Sequence, residues 1–248
     1  MSSPVRINAF LASAGLGSRR SVESLVREGR VTLNGTRVES LSVRVDPERD
    51  QVACDGRAVK TLVSRYVLFH KPAGCACTRH DPHIRKTIYD LLPAELHHLA
   101  YAGRLDADSE GLLLLSNDGD WLERLAHPRH GVRKTYHVLV KGRPSPEVLD
   151  KARKGVHSEG ELLKPELVGV LEESSPAPRK HVRGAEPPVW LVVMLREGRK
   201  REIRRIFGAL GHPVKRLCRV AVGKLELGGL PVGKWRDLTP VERESCLV

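Results

Sequence analysis

A chain of 248 residues with a hydrophobic share of 40% can build one large folded unit, or two smaller ones with cores of their own. Lysine and arginine outnumber aspartate and glutamate by 42 to 30, for a formal charge of +12 and a pI near 9.8, which predicts a polyanionic partner. No apolar run approaches the roughly 20 residues that span a bilayer, and the opening MSSPVRINAF lacks the apolar stretch of a secretory signal. Nucleic acid in a cytoplasmic setting is therefore expected, with no membrane partner.

Residues 4–62 read as a small unit. Ile7, Phe10, Leu11 and Ala14 recur at helical spacing, with Gly15 placed to end that helix in a left-handed cap. Ser18 is a good N-cap for a second helix carrying Val22, Leu25 and Val26 and stopping at Gly29. Val31–Leu33, the pair Asn34-Gly35 and Thr36–Val38 form a strong hairpin signal, because Asn-Gly accepts the positive φ angles of a tight turn. Arg19 and Arg20 fall in the first turn of the second helix, where they oppose its dipole; phosphate is a partner that would reward that placement.

A second unit is expected over residues 66–245. Tyr66–Phe69 predicts a strand, ended at Lys71-Pro72, and Ile88–Leu92 a short apolar patch ended by Pro93. In GRLDADSEGLLLLSNDG, Asp106 stands in an acidic, Gly-terminated turn just before Leu112–Leu115, a run comfortable only when buried. A helix should follow on Trp121, Leu122 and Leu125 with Asp118 or Asp120 as cap, then a strand with Tyr136, Val138 and Val140 on one face. Val148, Leu149 and Ala152 predict a helix ending near Gly155, residues 172–188 an exposed loop, and Trp190–Leu195 a buried strand. Between Arg179 and Arg219, twelve basic residues face three acidic ones. Within that segment Ile203, Ile206, Phe207 and Leu210 make a helical core stripe stopped by Gly211. Arg201 and Arg205 should share its outward face, while Arg204 lies at the edge of the stripe and needs a buried anion.

Five cysteines without framework spacing suit a reducing compartment. Cys75, Cys77, His80 and His83 are potential zinc ligands, but small zinc sites draw on two separated pairs, so no metal is expected.

Two stretches resemble known families. SRRSVESLVREGRVTLNGTRV is similar to the S-four RNA-binding domain, in which two helices and a hairpin present basic side chains to structured RNA. GRLDADSEGLLLLSNDG, RKTYHVLV and REGRKREIRRIFGALGHPVKRLCRVAVGKL, in that order, resemble the RsuA/RluB family of ribosomal-RNA pseudouridine synthases. The ending GLPVGKWRDLTPVE is closer to the large-subunit branch. The resemblance implies an α+β protein: a small α/β RNA-binding domain, then a catalytic domain on a long, mixed, mainly antiparallel sheet flanked by helices. It implies that Asp106 attacks the target uridine, Tyr136 stacks on uracil and deprotonates carbon 5, and Arg204 pairs with Asp106. Leu217 would pack near the base, with Arg104, Lys134, Arg201 and Arg205 as further RNA contacts beside Arg19, Arg20 and Arg30. Ser109 and Ser116 stand where the family favours threonine, and Glu202 where it favours glutamine. The implied reaction is an isomerisation without redox or external group transfer, so no cofactor is required. The implied partner is ribosomal RNA or a precursor ribosomal particle, met by a monomer.

Three rivals remain open. A non-catalytic ribosome-assembly protein would keep the fold, although Asp106, Tyr136 and Arg204 are all present. A glycosidase needs a second positioned carboxylate, and Asp108 and Glu110 lie too near Asp106 along the chain to face it. A small-subunit target is the alternative within the family.

Overall fold

The computed structural model describes residues 4–79, 86–171 and 187–248. Near the N-terminus, α1 (Ile7–Ser13) and α2 (Ser21–Arg27) bury Ile7, Phe10, Leu11, Val22 and Val26 against the strands that follow. Gly15 ends α1 at φ +81°. Ser18 Oγ accepts the Ser21 N–H at 3.1 Å, so Arg19 and Arg20 form a turn just ahead of α2 rather than lying inside it. The strands Val31–Leu33 and Thr36–Arg37 are joined by Asn34 and Gly35 at φ 51° and 82°, the mirror-image turn that matches strand twist. Val52–Cys54 and Arg57–Val59 complete a four-stranded sheet.

The rest of the chain is organised by a nine-stranded sheet. Its principal strands are β1 (Tyr66–Lys71), β2 (Glu110–Ser116), β3 (Lys134–Val140), β4 (Leu167–Val170), β5 (Val189–Leu195), β6 (Val214–Val222) and β7 (Trp235–Asp237). They lie in the order β4-β5-β3-β6-β2-β1-β7, with short strands Ala100–Tyr101 beside β2 and Leu225–Glu226 beside β6. Every pairing is antiparallel except β6 with β2, where Cys218 and Arg219 run parallel to Glu110 and Gly111. The architecture is α+β with a mixed, mainly antiparallel sheet, as expected.

Leu112–Leu115 show why the sheet is covered on both sides. Alternate side chains of a strand point to opposite faces, so Leu113 and Leu115 enter one core and Leu112 and Leu114 another. The first core takes Ile203, Ile206 and Phe207 from α5 (Glu202–Ala209), the second Trp121, Leu122 and Leu125 from α3 (Gly119–Ala126). Each such leucine contributes about 1.5–3 kcal/mol relative to leaving it in water. Asp118 caps α3 through Oδ1, which accepts the N–H groups of Asp120 and Trp121 at 3.1 and 3.0 Å. Ser145 caps α4 (Pro146–Lys154), and Thr239 with Glu242 forms a capping box on α6 (Pro240–Ser245).

Three expectations need correction or limit. β6, nine residues long and central to the sheet, has no strand signal in the sequence, because Lys215, Arg216 and Arg219 interrupt its apolar pattern. The apolar run of β5 suggests burial on both faces, yet Trp190, Val192 and Met194 are half-buried and Leu191, Val193 and Leu195 buried, so one face alone is sealed. The expected loop at 172–188 lies, apart from its last two residues, outside the described residues.

Candidate active site

Asp106 sits in the turn that leads into β2, and that turn is fastened through its backbone. The Ser109 N–H donates to Asp106 O at 3.0 Å and the Gly74 N–H to Ala107 O at 2.7 Å. Beneath it Lys71, the last residue of β1, is fully buried, and its Nζ donates to Pro72 O, Asp106 O and Ser109 O at 3.0, 3.1 and 2.7 Å. An ammonium has three donors, and all three are used. Burial pulls the Lys71 pKa down, against the opposing pull of nearby Cys75, Cys77, Asp106 and Asp108. The sequence marked Lys71 only as the end of a strand; a lysine closing an apolar strand was the available signal. The carboxylate of Asp106 is thus carried on a rigid backbone with its side chain 36% exposed, open to a ligand.

Two arginines of the α5 region flank it. Arg201 is the N-cap of α5 in a left-handed conformation, φ 51° and ψ 32°. Its Nη1 lies 3.7 Å from Asp106 Oδ2, while Nη1 and Nη2 donate to the Asp108 carboxylate at 3.3 and 3.2 Å. Arg204, whose side chain is 11% exposed, donates from Nη2 to Asp108 O at 3.0 Å and lies 3.3 Å from Asp108 Oδ2. Arg204 is drawn inward as expected, but its direct ion partner is Asp108, and the arginine closest to Asp106 is Arg201. The reason is geometric: Arg201 at the N-cap and Arg204 in the first turn of α5 both reach Asp108, the exposed residue of the acidic turn. Burial lowers the Arg204 pKa, with Asp108 and Asp106 opposing that and Arg201 adding to it; its Nε is buried without an acceptor among the described residues. The Asp108 carboxyl is held below its usual range by these two arginines despite burial acting the other way.

On β3, Tyr136 is buried at 7%, and Leu217 of β6, opposite Val138, is on the same face. Lys134, two residues before Tyr136, is 8% exposed and donates to Val132 O at 3.1 Å. Burial first, and the neighbouring Arg219 second, bring its pKa down to about 8. A surface phosphate contact at Lys134 therefore does not fit, because its ammonium is inside. Arg205 is likewise not on an open face: its side chain is 11% exposed and bound to Ser158 O and Glu161 Oε2. Arg30 is spent on Asp55, at 2.9 and 2.6 Å, and on Glu28 at 3.1 Å. Arg19, Arg20 and Arg104 are exposed. A side chain at Gly119 would meet Arg19 Nη2 at 2.8 Å, so this arginine reaches the start of α3 beside the large sheet.

Cys75 and Cys77 are buried, with Cys75 Sγ donating to Pro72 O at 3.3 Å, and burial pushes both thiols up. His80 and His83 lie outside the described residues. Among the described residues no group of three or more His, Cys, Asp or Glu could hold a metal ion.

The fold thus combines an N-terminal helix-and-hairpin unit with a sheet domain that presents the Asp106 carboxylate on a clamped turn. Residues 5–60 match the S4 domain, and residues 65–209 match the RNA pseudouridylate synthase model. A protein of Aquifex aeolicus named as an uncharacterized RNA pseudouridine synthase is 41% identical over 240 residues, covering 96% of this chain and 92% of its own. The ribosomal large subunit pseudouridine synthase B of Bacillus subtilis is 36% identical over 241 residues, with 96% and 93% covered. A solved pseudouridylate synthase superposes with a TM-score of 0.67 at 29% identity, covering 98% of this chain and all of that one. The chain belongs to the RNA pseudouridine synthase family, whose members are isomerases. Among the described residues no helix is long and apolar enough to cross a membrane.

Proposed function

We propose that this protein converts a specific uridine of large-subunit ribosomal RNA to pseudouridine, acting as a monomer in the cytoplasm. One observation carries the reading: the carboxylate of Asp106 is presented by a turn that Lys71 fixes from below and Arg201 and Arg204 flank. The naming of the Bacillus subtilis relative supports the large-subunit target. In this reading residues 4–62 hold the RNA and residues 66–245 perform the chemistry.

The reaction breaks the bond between N1 of uracil and C1′ of ribose, turns the base, and joins C5 to C1′. C5 loses a proton and N1 regains one, so composition is unchanged and no cofactor is needed. Asp106 is the nucleophile, and its approach needs an ionised carboxylate. The guanidinium of Arg201, 3.7 Å from Asp106 Oδ2, faces that carboxylate, and Arg204 braces the turn through Asp108. Tyr136 takes over the stacking when the uridine is flipped from its helix, and its hydroxyl relays the C5 proton, releasing its own proton as it takes that one up. Leu217 closes the apolar side of the base pocket, and Arg104 meets the RNA at the mouth.

Arg19 and Arg20, exposed ahead of α2, contact phosphate. Replacing both with glutamine weakens RNA affinity and lowers the slope of log affinity against log salt by about 2, one for each released counterion. A titration across salt concentrations measures this, and an unchanged slope assigns the two arginines to solvent alone. For the function itself, pseudouridine mapping in cells lacking the protein is expected to show loss of one position in large-subunit RNA. Loss from small-subunit RNA instead selects the other branch, and an intact map selects the non-catalytic assembly role.

A further inference from the structure

The register of the large sheet places four residues in one transverse row: Lys71 of β1, Gly111 of β2, Arg219 of β6 and Tyr136 of β3. Paired residues of neighbouring strands project on the same face with Cβ atoms about 5 Å apart. The Arg219 Cβ therefore neighbours that of Tyr136, while its side chain reaches the other way across the row to Leu112 O of β2, and Gly111, having no side chain, leaves space between it and Lys71. Lys71 is fully satisfied by carbonyls. Arg219 is not.

Arg219 is 3% exposed, and its Nε donates to Leu112 O at 2.7 Å. Among the described residues its Nη1 and Nη2 meet no acceptor and no carboxylate pairs with it. Lys134, on the Tyr136 face of β3 and close enough to Arg219 to feel its charge, has Val132 O as its acceptor and likewise no carboxylate among the described residues. Two adjacent buried cations without an anion destabilise a fold. The cost makes sense when a ligand supplies the negative charge.

The chemistry of the reaction names that charge. When the N1–C1′ bond breaks, its electron pair passes to the uracil ring and spreads from N1 onto O2 and O4. A base stacked on Tyr136 would lie over the row of the sheet that Arg219 occupies. We propose that Arg219 is a further catalytic residue, donating from Nη1 or Nη2 to a carbonyl oxygen of the detaching uracil and stabilising the negative charge on that leaving group, with Lys134 as the adjacent supporting cation. Arginine suits the task because it keeps its charge when buried and offers donors in a fixed plane. The same contact holds the free base in the pocket while it turns. The proposal rests on the pseudouridine-forming reading of the site.

The test compares wild type, Arg219→Gln and Arg219→Lys in single-turnover reactions on the RNA segment the wild type modifies, carrying uridine or 5-fluorouridine at the target. Fluorine makes uracil a better leaving group, so a residue that stabilises the leaving group matters less there. Arg219→Gln is expected to slow the uridine reaction about 100-fold, the scale of removing one donor to a developing anion. RNA affinity should stay nearly unchanged, and the loss on 5-fluorouridine should be at most about one-tenth as large. Arg219→Lys falls between. Equal losses on both substrates, or a loss confined to affinity, overturn the proposal. Where Arg219→Gln lacks a cooperative thermal transition, Lys134→Gln decides: a smaller loss with the same substrate dependence supports the proposal, and its absence refutes it. A wild type that forms no pseudouridine on any ribosomal RNA is a different failure, that of the underlying reading.

Discussion

Asp106→Asn is expected to reduce pseudouridine formation by at least about 10⁴-fold, the order seen when a nucleophile is removed from a catalytic constellation. The variant keeps the size of the side chain but neither its charge nor its nucleophilicity. The fold should be indifferent. Asp106 is held through its backbone oxygen by Lys71 Nζ and the Ser109 N–H, and both bonds survive the change. The side chain itself contributes one partly exposed ion pair, at 3.7 Å from Arg201, and such pairs are worth about 0–1 kcal/mol. RNA affinity should also persist, because the change removes a negative charge from a basic surface. The measurement is tritium release from RNA carrying 5-tritiated uridine, beside a binding titration. Release at the wild-type rate would remove Asp106 from the mechanism; loss of binding together with activity would make it an RNA-contact residue.

Much of this site is visible in the sequence because its parts follow simple rules. The stripe of Ile203, Ile206 and Phe207 fixes which way α5 faces, and with it the inward lean of Arg204. The leucine run behind Asp106 forces a doubly covered strand, which makes the preceding turn rigid. What the sequence hides is the fate of charges that break these rules. Lys71 and Arg219 are interior residues of the sheet region, yet pattern reasoning assigns lysine and arginine to the surface. The same habit conceals β6 altogether. Arg205 illustrates the reverse error: helical phase puts it outward, but the hairpin at Val156–Ser158 and Glu161–Leu163 covers it. The choice of Arg204 for Asp108 rather than Asp106 turns on distances that only tertiary packing sets.

Gly111→Ala is expected to destabilise the protein by more than about 3 kcal/mol and to abolish activity with it. From the sequence Gly111 merely closes an acidic turn; in the fold it occupies the seam of the large sheet. It pairs with Arg219 in the parallel contact between β2 and β6, which joins the β4-β5-β3-β6 half to the β2-β1-β7 half. Its φ is +112°, a conformation that residues with a Cβ rarely adopt. A Cβ there would stand 2.3 Å from Arg219 O, 2.6 Å from Arg219 N and 2.9 Å from Arg219 C. These are backbone atoms of a central strand and cannot step aside, so the two halves must part. Parting them shifts the strand that carries Arg219 and Leu217 relative to the turn that carries Asp106, and a misplacement of about 1 Å suffices to cost two orders of magnitude in rate. Gly198→Ala is the control: a Cβ at Gly198 meets nothing within 4 Å, and its effect should stay within about 0.5 kcal/mol. Denaturant unfolding of both variants beside wild type measures the difference. Equal stability of the two would mean that the seam yields, and that the close approach of β2 and β6 does not hold the catalytic turn in place.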